Sequence, residues 1–116
     1  MRYFRKERFE EIFKRAISEI LQKELDFFKT GLVTITKVDI SKDLKNCKIY
    51  FSVYDDSKLD YVKDYFKKNR RYFKGLLAKK VYIKYMPEVE FEFDETPRKA
   101  ARIEKILKEI EEKKES

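Results

Sequence analysis

The hydrophobic period changes four times along the chain, which leaves few folds open to it. Phe9, Ile12, Phe13, Ala16, Ile17, Ile20 and Leu21 recur every three or four residues, forming one apolar stripe on a helix of roughly residues 4–25. A stripe of that width needs a core to lie against. Beyond Thr30-Gly31 the pattern becomes β-branched, from Leu32 through Val33-Thr34-Ile35-Thr36-Lys37-Val38-Asp39-Ile40, and predicts a strand. Val33 and Ile35 hold one phase and Val38 and Ile40 the other, so a bulge is expected near Thr36-Lys37. Cys47, Ile49, Phe51 and Val53 then alternate with Lys48, Tyr50, Ser52 and Tyr54. The two strands are expected to pair as an antiparallel hairpin with one buried face.

Ser57-Lys58-Leu59-Asp60 has capping-box spacing and predicts the start of a helix whose buried stripe is Leu59, Val62, Phe66, Phe73 and Leu77. At 100° per residue, the stripe member between Phe66 and Phe73 falls on Asn69 or Arg70, where an unbroken helix would bury a polar side chain. A kink or short break at Asn69, Arg70 and Arg71 resolves the conflict by dividing the segment into two helices. Val81, Ile83 and Tyr85 alternate briefly, but Pro87 cannot donate to a ladder, so the main third strand is expected at about Glu88–Phe93. Ala100, Ile103, Ile106, Leu107 and Ile110 return to helical spacing, and the closing Glu-Glu-Lys-Lys-Glu-Ser is expected to fray. The reading is one α+β domain over residues 1–116, with 97–116 as a C-terminal helix and fraying tail, and no internal repeat.

Apolar residues make up 42% and aromatics 16% of the chain, enough for a packed interior beside 44% charged residues. No apolar run is long enough to cross a bilayer, and Met1-Arg2 leads into amphipathic sequence without a hydrophobic signal core, so a cytoplasmic protein without membrane contact is expected. The single Cys47 lies in strand-like sequence and reads as a small core residue. A single Gln and two Asn beside dense Lys and Glu are the bias of hyperthermophile proteins. A thermophilic source is therefore expected.

The net charge of +7 is concentrated in one place. Between Lys63 and Lys84 there are nine Lys and Arg against one acid, Asp64, while the rest of the chain is close to neutral. A one-sign patch of this density suits a polyanion. The candidate phosphate contacts are Lys63, Lys67, Lys68, Arg70, Arg71, Lys74, Lys79 and Lys80. Tyr65 and Tyr72, with Tyr61, flank the apolar stripe beside these bases; they either stack on unpaired nucleotides or snorkel over the core edge. With no His, only Gly31 and Gly75, and one Cys, the chain has no Gly-rich phosphate loop, thiol–imidazole pair or zinc-ligand cluster. Glu88, Glu90 and Glu92 share one strand face, which reads as a solvent face rather than a cation site. No catalysis, cofactor, metal or small-molecule substrate is expected. A non-ribosomal nucleic-acid-binding or protein-interaction module is the alternative that charge alone leaves open.

Several short runs, in order, carry a family resemblance: Arg5-x-x-Arg8-x-x-Glu11-Ile12 with Ile17-Ser18-x-Ile20-Leu21, then Val33-Thr34-Ile35-Thr36-x-Val38. They continue with Ser41-x-Asp43-Leu44-x-x-Cys47-x-Ile49-Tyr50-x-Ser52, Leu76-Leu77, and Pro87-Glu88-Val89-x-Phe91-x-x-Asp94-x-Thr96. Over nearly its whole length the chain resembles the bacterial ribosome-binding factor A family. The resemblance implies a type II KH-like domain in which a helix–kink–helix replaces the Gly-x-x-Gly loop. It also implies binding of free small ribosomal subunits through their rRNA and a role in maturing them. A monomer is expected. The chain departs from the family at Asp26-Phe27-Phe28, where Asp-Pro-Arg is common, and at Asn69-Arg70-Arg71, where Ala-x-Gly is common.

Overall fold

In the computed structural model, which describes residues 2–115, the first apolar stripe becomes helix α1 (Arg2–Glu24). Phe13, Ala16, Ile17, Ile20 and Leu21 are buried, and Ile12, on the flank of the stripe, is exposed. Asp26 caps a one-turn helix α2 (Phe27–Thr30) by accepting the Phe28 N–H at 3.0 Å. Gly31 ends that turn at φ 64°, a left-handed angle that a side chain would strain. The chain then enters β1 (Val33–Ile40), which pairs antiparallel with β2 (Asn46–Val53). The register shifts between Ile35 and Lys37, leaving Thr36 as the extra residue. This bulge returns Val38 and Ile40 to the buried face that Ile35 occupies.

The capping-box reading requires correction at the next helix. Ser57 caps no helix: Asp55 caps a short 3-10 turn instead, its carboxylate accepting both the Ser57 N–H at 3.0 Å and the Ser57 hydroxyl at 2.7 Å, and the α-helix beyond opens at Lys58 without a side-chain cap. Both bonds end on the same carboxylate oxygen, Oδ1, and they commit the Ser57 hydroxyl as a donor to Asp55. A short 3-10 turn (Asp56–Lys58) follows, then α3 (Leu59–Lys68) and α4 (Arg70–Val81). The break between them narrows to Asn69, at φ −106° and ψ 16°, with Arg70 and Arg71 already in the first turn of α4. Both the backbone N–H and the side-chain amide of Asn69 donate to the Tyr65 carbonyl, at 3.0 and 2.9 Å.

Tyr82 ends α4 in a left-handed conformation, so the brief alternation of Val81, Ile83 and Tyr85 forms no strand. After Pro87, β3 (Glu88–Phe93) pairs parallel to β2, giving a three-stranded sheet of order β1-β2-β3. Helices α1, α3 and α4 cover one face of the sheet, and the core lies between them from Phe13 and Ile17 to Ile49, Phe51, Phe66, Phe73 and Val89. The last helix, α5 (Thr96–Glu115), is helical through the residues expected to fray; Ser116 lies outside the described residues. Its apolar stripe meets no core. Ile103, Ile106, Leu107 and Ile110 are 58%, 54%, 54% and 46% exposed, and the molecule extends 62 Å along its long axis but 18 Å along its short one. Among the described residues no helix is long and apolar enough to cross a membrane.

Candidate nucleic-acid interface

An aromatic stack fixes both helices that flank Asn69. Phe66 of α3 lies almost parallel to Phe91 of β3, at 4.3 Å and 6°, and Phe73 of α4 meets both rings edge-on at 5.7 Å. Phe51 packs on Phe66 at 4.8 Å. Each such pair adds about 0.5–1.5 kcal/mol to the burial of its rings, so the bend is held from both sides by the same cluster. The cations on α3 and α4 therefore stand on rigid elements.

Lys63, Lys67 and Arg70 line one wall of a cleft of about 770 Å³ against β3. Phe51, Phe66, Phe91 and Phe93 form its floor, and Glu90, Glu92 and Glu95 its other wall. Lys63 sits with its ammonium 5.1 Å from the centre of the Phe93 ring. Periodicity did not assign Phe91 and Phe93 to the site, though their alternation with glutamates was a visible signal of one walled and one apolar face.

The other candidate bases are distributed unequally. Lys68 pairs with Asp64 at 2.9 Å, Lys74 with Glu88 at 2.7 Å, and Lys80 with Glu19 of α1 at 2.6 Å. The bond from Lys74 holds the Glu88 carboxyl below its usual range, and the charges of Arg70 and Arg71 add to the effect. The bond from Lys80 does the same to Glu19. Lys63, Lys67, Arg70, Arg71 and Lys79 form no ion pair among the described residues. The structure thus gathers Lys63, Lys67 and Arg70 with Arg71 and Lys74 beside them. Lys80 is turned toward α1.

The two tyrosines lie apart from the cleft. Tyr65 is packed against Tyr61, Phe66 and Phe73 with ring centres about 6 Å apart, and burial raises its pKa. Tyr72 is half exposed and donates its hydroxyl to Glu24 at 3.0 Å, a bond that raises its pKa too. On the open sheet face Glu92 pairs with Lys48 at 3.8 Å, and among the described residues no group of three His, Cys, Asp or Glu is placed to share a metal ion. Burial pushes the Cys47 thiol up to about 12, which leaves it unreactive.

The model of the ribosome-binding factor A family matches residues 5–107. Ribosome-binding factor A of Halothermothrix orenii is 32% identical over 117 residues, covering 100% of this chain and 96% of that protein. The crystal structure of ribosome-binding factor A from Thermus thermophilus superposes with a TM-score of 0.66 at 25% identity, covering 75% of this chain and 93% of that one. A homology model of the Thermus thermophilus factor, fitted into a cryo-electron-microscopy map of its complex with the 30S subunit, gives a TM-score of 0.64 at 24% identity, covering 72% of this chain and 89% of that one. With a family match spanning most of its length and the same α+β arrangement, this chain belongs to the ribosome-binding factor A family.

Proposed function

We propose that this chain binds the free small ribosomal subunit through its 16S rRNA and assists the maturation of that subunit and the processing of its rRNA. Family membership and the 30S complex of the Thermus thermophilus relative support the partner. The observation that carries the site is the first turn of α4. It opens without a side-chain cap and without an acidic residue, and instead places Arg70 and Arg71 at the positive end of the helix. Unpaired helix N–H groups and two guanidinium groups repel one another in the isolated chain. A phosphate at this position satisfies all of them. Lys63 and Lys67 extend the positive surface along α3. The order helix, two strands, helix, break, helix, strand supports the KH-like reading of the domain.

In this reading the chain works by binding alone, as a cytoplasmic monomer without catalysis, cofactor, metal or small-molecule substrate. Its RNA surface is Lys63, Lys67, Arg70 and Arg71, with Lys68, Lys74, Lys79 and Lys80 as outlying charges. Converting Lys63, Lys67, Arg70 and Arg71 to Gln tests it by co-sedimentation with purified small subunits. Affinity is expected to fall at least tenfold, about 1.4 kcal/mol, while each change alters stability by no more than about 0.5 kcal/mol. The control converts Lys99, Lys105, Lys108 and Lys113 of α5, where charges of both signs are interspersed. Equal losses from both variants would show attraction by bulk charge, and equal affinity for duplex DNA would favour a general nucleic-acid module.

A further inference from the structure

Tyr65 and Tyr72 are engaged with the body, but two tyrosines between α4 and β3 are not. Tyr82 and Tyr85 are 93% and 77% exposed. Neither hydroxyl forms a hydrogen bond among the described residues, whereas that of Tyr72 is held by Glu24. The segment that carries them is nevertheless anchored. Val81, Ile83 and Met86 pack against the core and Pro87 is buried, so the apolar side chains turn inward and both tyrosines outward. Tyr82 ends α4 at φ 50° and ψ 49°, the left-handed position at which helices favour Gly or Asn. A bulky side chain is strained there, and at 93% exposure this one recovers little by burial. Neither stability nor packing accounts for a ring at this position. Lys79 and Lys84 flank the tyrosines, exposed and without an ion pair among the described residues, and no acid lies between Lys79 and Met86.

We propose that Tyr82 and Tyr85 stack on unpaired bases of the bound RNA while Lys79 and Lys84 meet the adjoining phosphates. The inference rests on the RNA-binding reading above and adds a second contact at the far end of α4. That helix has 12 residues, so about 18 Å separates the tyrosines from the break at Asn69. The bases of a duplex stack on one another and offer no free face along its length, so the ligand is a single-stranded segment. The surface does not suit an apolar protein contact, because the aliphatic side chains of the segment point into the body. What it presents outside is rings and ammonium groups, the composition of a stacking platform.

The test titrates the full chain with single-stranded octaadenylate RNA at about 50 mM salt, read by the NMR signals of the tyrosine rings and by the anisotropy of the labelled oligonucleotide. Upfield shifts of the Tyr82 and Tyr85 ring protons are expected, with no such shifts on a stable RNA duplex. Tyr82→Leu with Tyr85→Leu should weaken octaadenylate binding by at least about fivefold. Tyr82→Phe with Tyr85→Phe should retain it, since the ring and not the hydroxyl makes the contact. Tyr82→Gly should weaken binding too, yet leave the thermal midpoint unchanged or raise it by a few degrees, because Gly relieves the left-handed strain. Absent ring shifts overturn the proposal, as does a Leu pair that binds octaadenylate as tightly as the wild type. A lowered midpoint for Tyr82→Gly overturns it as well, by making the ring a structural part. Co-sedimentation separates this inference from the proposed function. A chain that stacks on octaadenylate but does not bind small subunits overturns the ribosomal reading alone. A Leu pair that loses small subunits but keeps octaadenylate indicates a protein contact and overturns the stacking alone.

Discussion

Asn69 bends the helix pair without an unusual backbone angle, because its side chain and its own N–H share one carbonyl. Asn69→Ala removes the side-chain bond and leaves the backbone one, so it should cost about 0.5–1.5 kcal/mol in urea unfolding. The need for a break was legible, since a polar residue fell on the buried stripe; its confinement to one residue was not, because helix propensity does not forbid Arg70 or Arg71 a place in the next turn. The bulge was legible in the same way, from a phase slip between Ile35 and Val38. Its partner was not: the Thr36 hydroxyl donates to Asp94 at 2.6 Å across 58 residues of sequence, and no local pattern signals such a bond. That bond is the first cause holding the Asp94 carboxyl below its ordinary value. A depressed carboxyl contributes stability above its unfolded pKa, and that contribution is lost as pH falls through the lower folded value. Thr36→Val should therefore raise the Asp94 pKa toward 3.8 in a carboxyl NMR titration and shrink the acid-dependent part of the stability.

Among the elements, α3, α4 and β3 act as one unit through Phe66, which is 1% exposed and in ring contact with Phe51, Phe73 and Phe91. Phe66→Ala should destabilise by about 3–5 kcal/mol in denaturant unfolding, and a loss under about 1 kcal/mol would mean the cluster collapses around the gap. Strands and helices with matching cover were the legible elements, since a period of two or 3.6 reports a face that something must bury. The alternation from Val81 to Tyr85 was too short to mark a strand, since it also fits a helix end; the chain turns at Tyr82, and β3 begins after Pro87 where it was expected. The stripe of α5 was read correctly as a helix face, but periodicity does not say where its cover lies. Deleting residues 103–116 should accordingly leave the thermal midpoint of dilute protein within a few degrees, because the described side chains of that stretch touch none of the core.

At the scale of the whole molecule, the excess positive charge stands on a bend fixed by aromatic packing. If Lys63, Lys67, Arg70 and Arg71 all meet phosphates, log affinity for the small subunit should fall with log salt at a slope of about −3 to −4, unaffected by chelators that leave the particle intact. The Lys- and Glu-rich composition argues for a melting midpoint above about 75 °C; unfolding at roughly 45–65 °C would reduce that bias to compositional drift. Charge density marked these bases in the sequence, yet the division into paired and unpaired bases depended on acids at Glu19, Glu88 and Asp64, two of them distant in the chain. The bulge in β1 has a wider reach than its own strand. Asp94, held by Thr36, also accepts the N–H of Thr96, the first residue of α5. A rod of 20 residues is about 30 Å long, so a 10° change of heading at its base moves its tip by about 5 Å. One surplus residue in the first strand thus steers the far end of the last helix, as a rudder post sets the blade.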